Sequence, residues 1–400
     1  MAIESERINE PISTAELERR WAALRAAMAE QRIDVLLMQS NNDFMGGYVK
    51  YFTDLPATNG YWVTVVFPRE DRMTVIGQGP FGFDNRLPPQ GDGLRRGVAR
   101  FLGTPSYVSA GYTSDYDAAL AESALAPYTG APVGLVGTAA MSFALIEALR
   151  RGRLSKAKFV DASDLVDRIR VVKSEAELAL IRRTAAMQDA AMEAAFAAIR
   201  PGMRDIEVAA VAEQAGHALG SEQGLFLCAS GPVGTAALMA NRHLQNRVIQ
   251  RGDQFCLLIE NSGPGGFYTE LGRTCVLGKA SQEMKDEFAF VLEAQKLTLN
   301  MLRPGASCAD IWETYNEFMR KNGRPEEKRL YCHGQGYDMV ERPLVRRDEP
   351  MAILANMNIV VHPAYVTATT YSWVCDNFLI GANGVSEKLH RFAQQIVEIG

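Results

Sequence analysis

Residues 254–277 read QFCLLIENSGPGGFYTELGRTCVL, two strand-like runs around a Gly-Pro-Gly-Gly turn, and the polar residues in them decide how the chain is read. The first run is apolar until it reaches Glu260, and the second alternates and carries Glu270 and Arg273. An ionisable group inside an apolar strand is costly unless paired, so such groups form either structural ion pairs or a site. Three further stretches share the feature. LYCHGQGYDMVERP (330–343) carries His333 and Glu341, NIVVHPAYV (358–366) is apolar except for His362, and YSWVCDNFLIG (371–381) holds Cys375 and Asp376. Taken singly, each has a plain structural explanation: a lone histidine in a strand is usually a hydrogen-bonded core residue, and Glu270 with Arg273 reads as a surface pair. Five segments that each deliver a polar group are expected to converge on one cavity.

Working outward, the second half of the chain opens on a helix. Ser174-Glu175-Ala176-Glu177 is a capping-box pattern, and the helix that follows stops at Pro201-Gly202. An echo follows. Arg200-Pro201-Gly202 leads into Arg204-Asp205-Ile206 and a helix, and Arg303-Pro304-Gly305 leads into Ala309-Asp310-Ile311 and another. A helix–RPG–helix–hairpin unit occurring twice predicts a pseudo-two-fold α+β domain over residues 171–400. Before it, residues 14–31 show helical spacing, and IDVLLMQ, YWVTVVF, MTVIGQ, VGLVG and KFVDAS read as strands, with the helix-like AAMSFALIEALRRG between the last two. That alternation predicts an α/β domain over residues 1–165. NNDFMGGYVKYF (41–52) is expected to be an aromatic loop. The clusters Gly263-Pro264-Gly265-Gly266 and Gly334-Gln335-Gly336 lack the following helix of a dinucleotide site and are read as tight turns.

At 400 residues, the chain exceeds what one hydrophobic core usually serves, which also argues for two domains. A net charge of −5 without Lys/Arg runs gives no footprint for nucleic acid or an anionic membrane. The N-terminus is polar, and no apolar stretch has the length of a signal peptide core or a spanning helix. The six cysteines form no C-x-x-C pair and are expected to be buried free thiols of a cytoplasmic protein.

Several motifs resemble those of the pita-bread superfamily, which includes methionine aminopeptidase, aminopeptidase P, prolidase and creatinase. VVKSEAELALIRRTA (171–185) is similar to the start of their second domain, Gly252-Asp253 to a "GD" before a strand, and Gly266–Thr274 to a "GY..D..RT" hairpin. His333-Gly334-Gln335-Gly336 with Glu341 and Pro343 resembles "HGxGxxxHExP", and Asn356–Pro363 resembles "GMvxxxEP". The resemblance spans nearly the whole chain and implies an α/β N-terminal domain followed by a pita-bread catalytic domain. The family's metallopeptidases hold two divalent metals through two Asp, one His and two Glu. In this chain the first Asp falls at Leu258 or Ile259 beside Glu260, and the second becomes Glu270. His333 is kept, the two Glu become His362 and Cys375, and the second His of "HExP" becomes Val340. The stripped pattern resembles metal-independent creatinase and ectoine hydrolase.

The resemblance therefore implies a hydrolase of a C–N bond in a small amidine, cyclic amide or amide, with no cofactor. His333 or His243 would be the general base, the latter because creatinase's histidine falls near Asn241. Glu260 and Glu270 would hold a cationic or N–H-rich substrate, Arg273 would bind a carboxylate or keep Glu270 ionised, and Glu341, His362, Cys375 and Asp376 would line the pocket. A homodimer is expected, with the N-terminal domain of one subunit, through Phe44, Tyr48 and Trp62, reaching the other's site. The alternative keeps one divalent transition metal (Zn, Fe or Mn) on Glu270, His333 and His362, as in an Xaa-Pro-type dipeptidase or a lyase. A non-catalytic binding module is the second alternative.

Overall fold

The computed structural model describes residues 11–56 and 59–400, so the first ten residues of the expected N-terminal domain lie outside the described residues. The chain divides into two compact units between Arg170 and Val171. No helix among the described residues is long and apolar enough to cross a membrane.

The first unit is a mixed sheet with helices. Its strands are β1 (Val35–Ser40), β2 (Val63–Pro68), β3 (Met73–Gln78), β4 (Asp84–Arg86), β5 (Val98–Thr104), β6 (Val133–Val136) and β7 (Phe159–Asp161), in the order β4-β5-β3-β2-β1-β6-β7. Its helices are α1 (Thr14–Glu30), α2 (Gly47–Thr53), α3 (Ser114–Leu125), α4 (Phe143–Arg151) and α5 (Ser163–Arg170). Ser13 caps α1 by accepting the N–H of Glu16. Ala118, Ala121 and Leu125 of α3, with Leu145 and Leu149 of α4, bury Val35, Leu37 and Val133 of the sheet. The expected aromatic loop is partly helical instead. Val49, Tyr51 and Phe52 bury themselves in α2, and Asp54 ends the helix in the left-handed region at φ +58°.

Asp117 of α3 is 1% exposed, and neither carboxylate oxygen makes a well-formed hydrogen bond. Burial pushes the carboxyl up to about 6, opposed by the nearby hydroxyls of Ser106 and Thr104. A folded-state value raised above that of the unfolded chain costs stability where the group must ionise, at pH above about 6, and costs nothing below the unfolded value. Asp117→Asn is therefore expected to stabilise the protein by about 1–3 kcal/mol near pH 8 and by nothing near pH 4. Urea unfolding at both pH values measures this, and an equal effect at both would show that ionisation of Asp117 is not its cause.

The second unit repeats one plan. Helices α6 (Glu175–Ala198) and α7 (Asp205–Ala218) precede β8 (Gly224–Pro232), β9 (Asp253–Ser262) and β10 (Tyr268–Val276). Helices α8 (Gln282–Met301) and α9 (Cys308–Lys321) precede β11 (Cys332–Gly334), β12 (Glu341–Leu344), β13 (Asn358–Val361), β14 (Ala364–Val366), β15 (Tyr371–Trp373), β16 (Asp376–Gly381) and β17 (Gly384–Lys388); β18 (Val397–Glu398) ends the chain. The sheets run β18-β10-β9-β8 and β12-β11-β13-β16-β17, with β14-β15 as a separate pair. The capping box at Ser174 and Glu177 forms as expected, and both Pro-Gly pairs break the chain between helices.

Each helix pair covers one face of its own sheet. Met192, Ala195, Val208 and Ala212 pack on Phe255, Leu257, Ile259 and Leu271. Val291, Ala294, Ile311 and Tyr315 pack on Cys332, Ile359, Val361 and Phe378. Side chains alternate along a strand, so the residues between these point the other way. On those opposite faces the two sheets are joined, through the isolated bridge Gly272–Cys375 and through the N–H of Glu270 donating to Asn377 Oδ1 at 2.7 Å.

Candidate active site

Strands β9 and β10 pair so that Glu260 and Glu270 are direct cross-strand partners. Alternation places Cys256, Leu258 and Glu260 beside Glu270, Gly272 and Thr274 on one face and sends Ile259 and Leu271 into the helix-covered core. The first acid of the hairpin is therefore Glu260, neither Leu258 nor Ile259 as its position in the motif had implied. Gly272 has no room for a side chain: a Cβ there would lie 1.9 Å from the indole of Trp373.

The second sheet supplies imidazoles. His333 of β11 sits opposite Val360 of β13, and His362 follows β13 with its N–H donating to the Tyr331 carbonyl at 2.8 Å. Ligand atoms of Glu270, His333 and His362 all lie within 4.8 Å of one another. His333 Nε2 is 4.0 Å from Glu270 Oε2, and the two imidazole rings meet edge to face at 5.3 Å. His333 Nδ1 lies 3.0 Å from the Gly334 carbonyl, which can only accept, so Nδ1 carries the hydrogen and Nε2 faces Glu270 as a bare lone pair.

Burial governs the electrostatics. It pushes the Glu270 carboxyl up to about 7, and burial together with the neighbouring Glu270 pushes Glu260 well above the usual carboxylate range. Burial brings His333 down to about 4, and burial with His333 alongside lowers His362 strongly. At neutral pH both imidazoles are neutral donors of electron pairs, and burial shifts both acids toward their protonated forms.

This donor set fits a divalent transition metal. Two neutral imidazoles and a carboxylate converge, and His362 Nε2 is a buried polar atom without a hydrogen-bond partner. An imidazole nitrogen without a hydrogen-bond partner, beside a carboxylate oxygen and a second lone pair, is a donor set suited to a cation. The expectation of no cofactor gains no support from this geometry.

Other expected site residues are placed elsewhere. Arg273 lies three residues from Glu270 and so faces the opposite side of β10. Its fully buried guanidinium donates to Asp376 Oδ1 at 2.7 Å and to the carbonyls of Gly272, Cys375, Phe392 and Ala393. Neither Arg273 nor Asp376 is left to meet substrate, and together they form a structural ion pair. Glu341 pairs with the buried Lys173 at 2.6 Å and accepts the N–H of Tyr337 at 2.9 Å, which ties the HGQG loop to the start of the unit. His243 sits in the exposed turn Arg242–Leu244 and does not join the buried cluster. Cys375 does face the site. Its thiol donates to the Glu270 carbonyl at 3.4 Å, and burial keeps it protonated. Phe44 and Trp62 are half-buried in the first unit, where the Tyr48 hydroxyl donates to Asp167 at 2.8 Å and Arg170 lies over its ring.

Three amides escaped the sequence reading: Gln335, Asn358 and Asn377. Gln335 Nε2 donates to Glu260 Oε1 at 3.1 Å and to Glu270 Oε2 at 3.4 Å. Asn377 Nδ2 donates to Gln335 Oε1 at 2.8 Å and to Asn358 Oδ1 at 3.0 Å. The signal for them was available in strand parity: Asn358 shares a face with His362, and Asn377 with Cys375.

Fold and site together define a two-sheet hydrolase scaffold with an acid–imidazole centre, and comparison with known proteins agrees. Residues 179–387 match Metallopeptidase family M24, and the chain belongs to that family, within the pita-bread superfamily. The Xaa-Pro dipeptidase of Pyrococcus horikoshii is 26% identical over 268 residues, 64% of this chain and 73% of that one. An uncharacterized hydrolase/peptidase of Sinorhizobium fredii is 27% identical over 357 residues, 85% of each chain. The crystal structure of the X-Pro aminopeptidase from Thermotoga maritima superposes with a TM-score of 0.78 at 18% identity, covering 95% of this chain and 99% of that one. Membership supports a hydrolase acting on C–N bonds. The relatives named are not creatinases, so the narrower placement beside creatinase and ectoine hydrolase is not carried further.

Proposed function

We propose that this chain is a metal-dependent hydrolase of the C–N bond in a small peptide or amide, of the Xaa-Pro dipeptidase type, working with one divalent transition ion. The observation that carries the proposal is the convergence of Glu270, His333 and His362 within 4.8 Å around the unpartnered Nε2 of His362. These three residues would hold the ion. When bound, such an ion supplies a Lewis acid for the substrate carbonyl and makes water more acidic. Glu260 is the proton carrier: its Oε1 accepts from Gln335, and burial beside Glu270 raises its affinity for a proton that Oε2 can deliver to the leaving nitrogen. Leu258, Val360 and Trp373, all buried, keep bulk water from the acids.

The same face of the hairpin supports one ion rather than two. Beyond Glu260 and Glu270 that face carries Cys256, Leu258, Thr274 and a Gly272 covered by the Trp373 indole, and the neighbouring Cys375 thiol is kept protonated by burial. None of these is a carboxylate or an imidazole. Dialysis against a chelator is expected to remove nearly all turnover of Xaa-Pro dipeptides or related amides, and one equivalent of Zn²⁺, Fe²⁺ or Mn²⁺ should restore it. A rate indifferent to chelator would hand the site to metal-free His/Glu catalysis. Ligand binding without turnover would point to a binding module.

A further inference from the structure

We propose that Gln335 is a positioning residue, whose side-chain amide fixes the carboxylates of Glu260 and Glu270 in the arrangement that receives a divalent ion. The inference rests on the metal-binding reading of the site and goes beyond it, since Gln335 is not a ligand in that reading.

The orientation of this amide is forced by a chain of hydrogen bonds. The backbone N–H of Glu270 can only donate, so Asn377 must present Oδ1 to it, at 2.7 Å. That turns Asn377 Nδ2 toward Gln335 and Asn358, at 2.8 Å and 3.0 Å. Gln335 must then present Oε1 to Asn377, and its Nε2 is left facing the two acids, at 3.1 Å and 3.4 Å. Its backbone is fixed as well: the Gln335 N–H donates to the Asn358 carbonyl at 3.0 Å, and Asn358 Nδ2 donates to the Gln335 carbonyl at 3.2 Å. Gln335 is 0% exposed, as are Asn377 and, within a per cent, Asn358. The network carries no charge of its own, and these bonds all point one way. A flipped amide would aim Oε1 at two carboxylates and leave Asn377 Nδ2 facing an N–H group.

Two neighbouring acids are thus held side by side by one donor, which engages one oxygen of each. Partners of metal ligands typically change metal affinity by about 10- to 100-fold when removed. In the metal-stripped full-length protein, Gln335→Met keeps the shape and loses both donors, whereas Gln335→Asn keeps the amide but withdraws it by one methylene. Both are expected to weaken Zn²⁺ binding about 10- to 100-fold in competition with a chromophoric chelator. Both should also change the visible absorption of the Co²⁺-loaded protein, which reports ligand geometry and which a mere loss of packing would leave alone. If either variant folds and binds Zn²⁺ with wild-type affinity and an unchanged Co²⁺ spectrum, Gln335 is filler and only this inference falls. If the wild-type chain binds no Zn²⁺, the metal reading falls and takes this inference with it.

Discussion

His333→Ala is expected to leave a folded protein whose kcat/KM is lower on the order of 10³-fold and which, once loaded with Zn²⁺, loses the ion on dialysis. The strand that carries His333 is held by backbone bonds to β12 and β13, and these do not involve the imidazole. The side chain's own hydrogen bond goes no further than the carbonyl of the next residue. The loss is therefore functional: the bare Nε2 lone pair facing Glu270 disappears, and Glu270 and His362 alone are a poor site. Near-UV circular dichroism, metal content and kinetics measured on one preparation separate the two effects. Undiminished turnover would refute the role assigned to His333.

Arg273→Met is expected to do the opposite, costing fold before function. Asp376 is 0% exposed and shares its charge with Arg273 at 2.7 Å, with Gln394 donating to the other oxygen at 2.8 Å. Removing the cation leaves a buried carboxylate without its partner and takes one donor from each of four backbone carbonyls. Breaking a buried pair in this way typically costs about 3–5 kcal/mol. For a unit of this size the change lowers Tm on the order of 10 °C. The double variant Arg273→Met with Asp376→Asn should recover part of that, because no charge is then stranded. A single variant with wild-type Tm would show that the pair contributes nothing, and loss of turnover without loss of stability would return Arg273 to the substrate.

The contrast between these residues shows what the sequence could and could not disclose. The repeat of helix, Pro-Gly break and helix announced the two halves of the second unit, and the polar residues in apolar strands marked Glu260, Glu270, His333 and His362, which the structure brings to one place. Arg273 and Asp376 looked equally out of place, because burial of a charge is visible in a sequence whereas its partner is not. Strand parity would have separated them: Arg273 is an odd number of residues from Glu270, and Asp376 is adjacent to the site-facing Cys375. The register between β9 and β10 was hidden too, since it depends on the turn Gly263–Gly266, with Gly265 and Gly266 at φ +86° and +81°. Gln335, Asn358 and Asn377 went unseen because uncharged amides cost little to bury when satisfied, so nothing in their surroundings makes them stand out.

The two sheets bring a last consequence. Both carboxylates belong to the first helix–sheet half and both imidazoles to the second, and α8 and α9 lie between them in the chain. Neither half owns a working centre. During synthesis the acids leave the ribosome long before either imidazole exists to join them, so a polypeptide truncated before β11 lacks half of the candidate site. The full set of side chains meets only when the late strands dock onto the early hairpin.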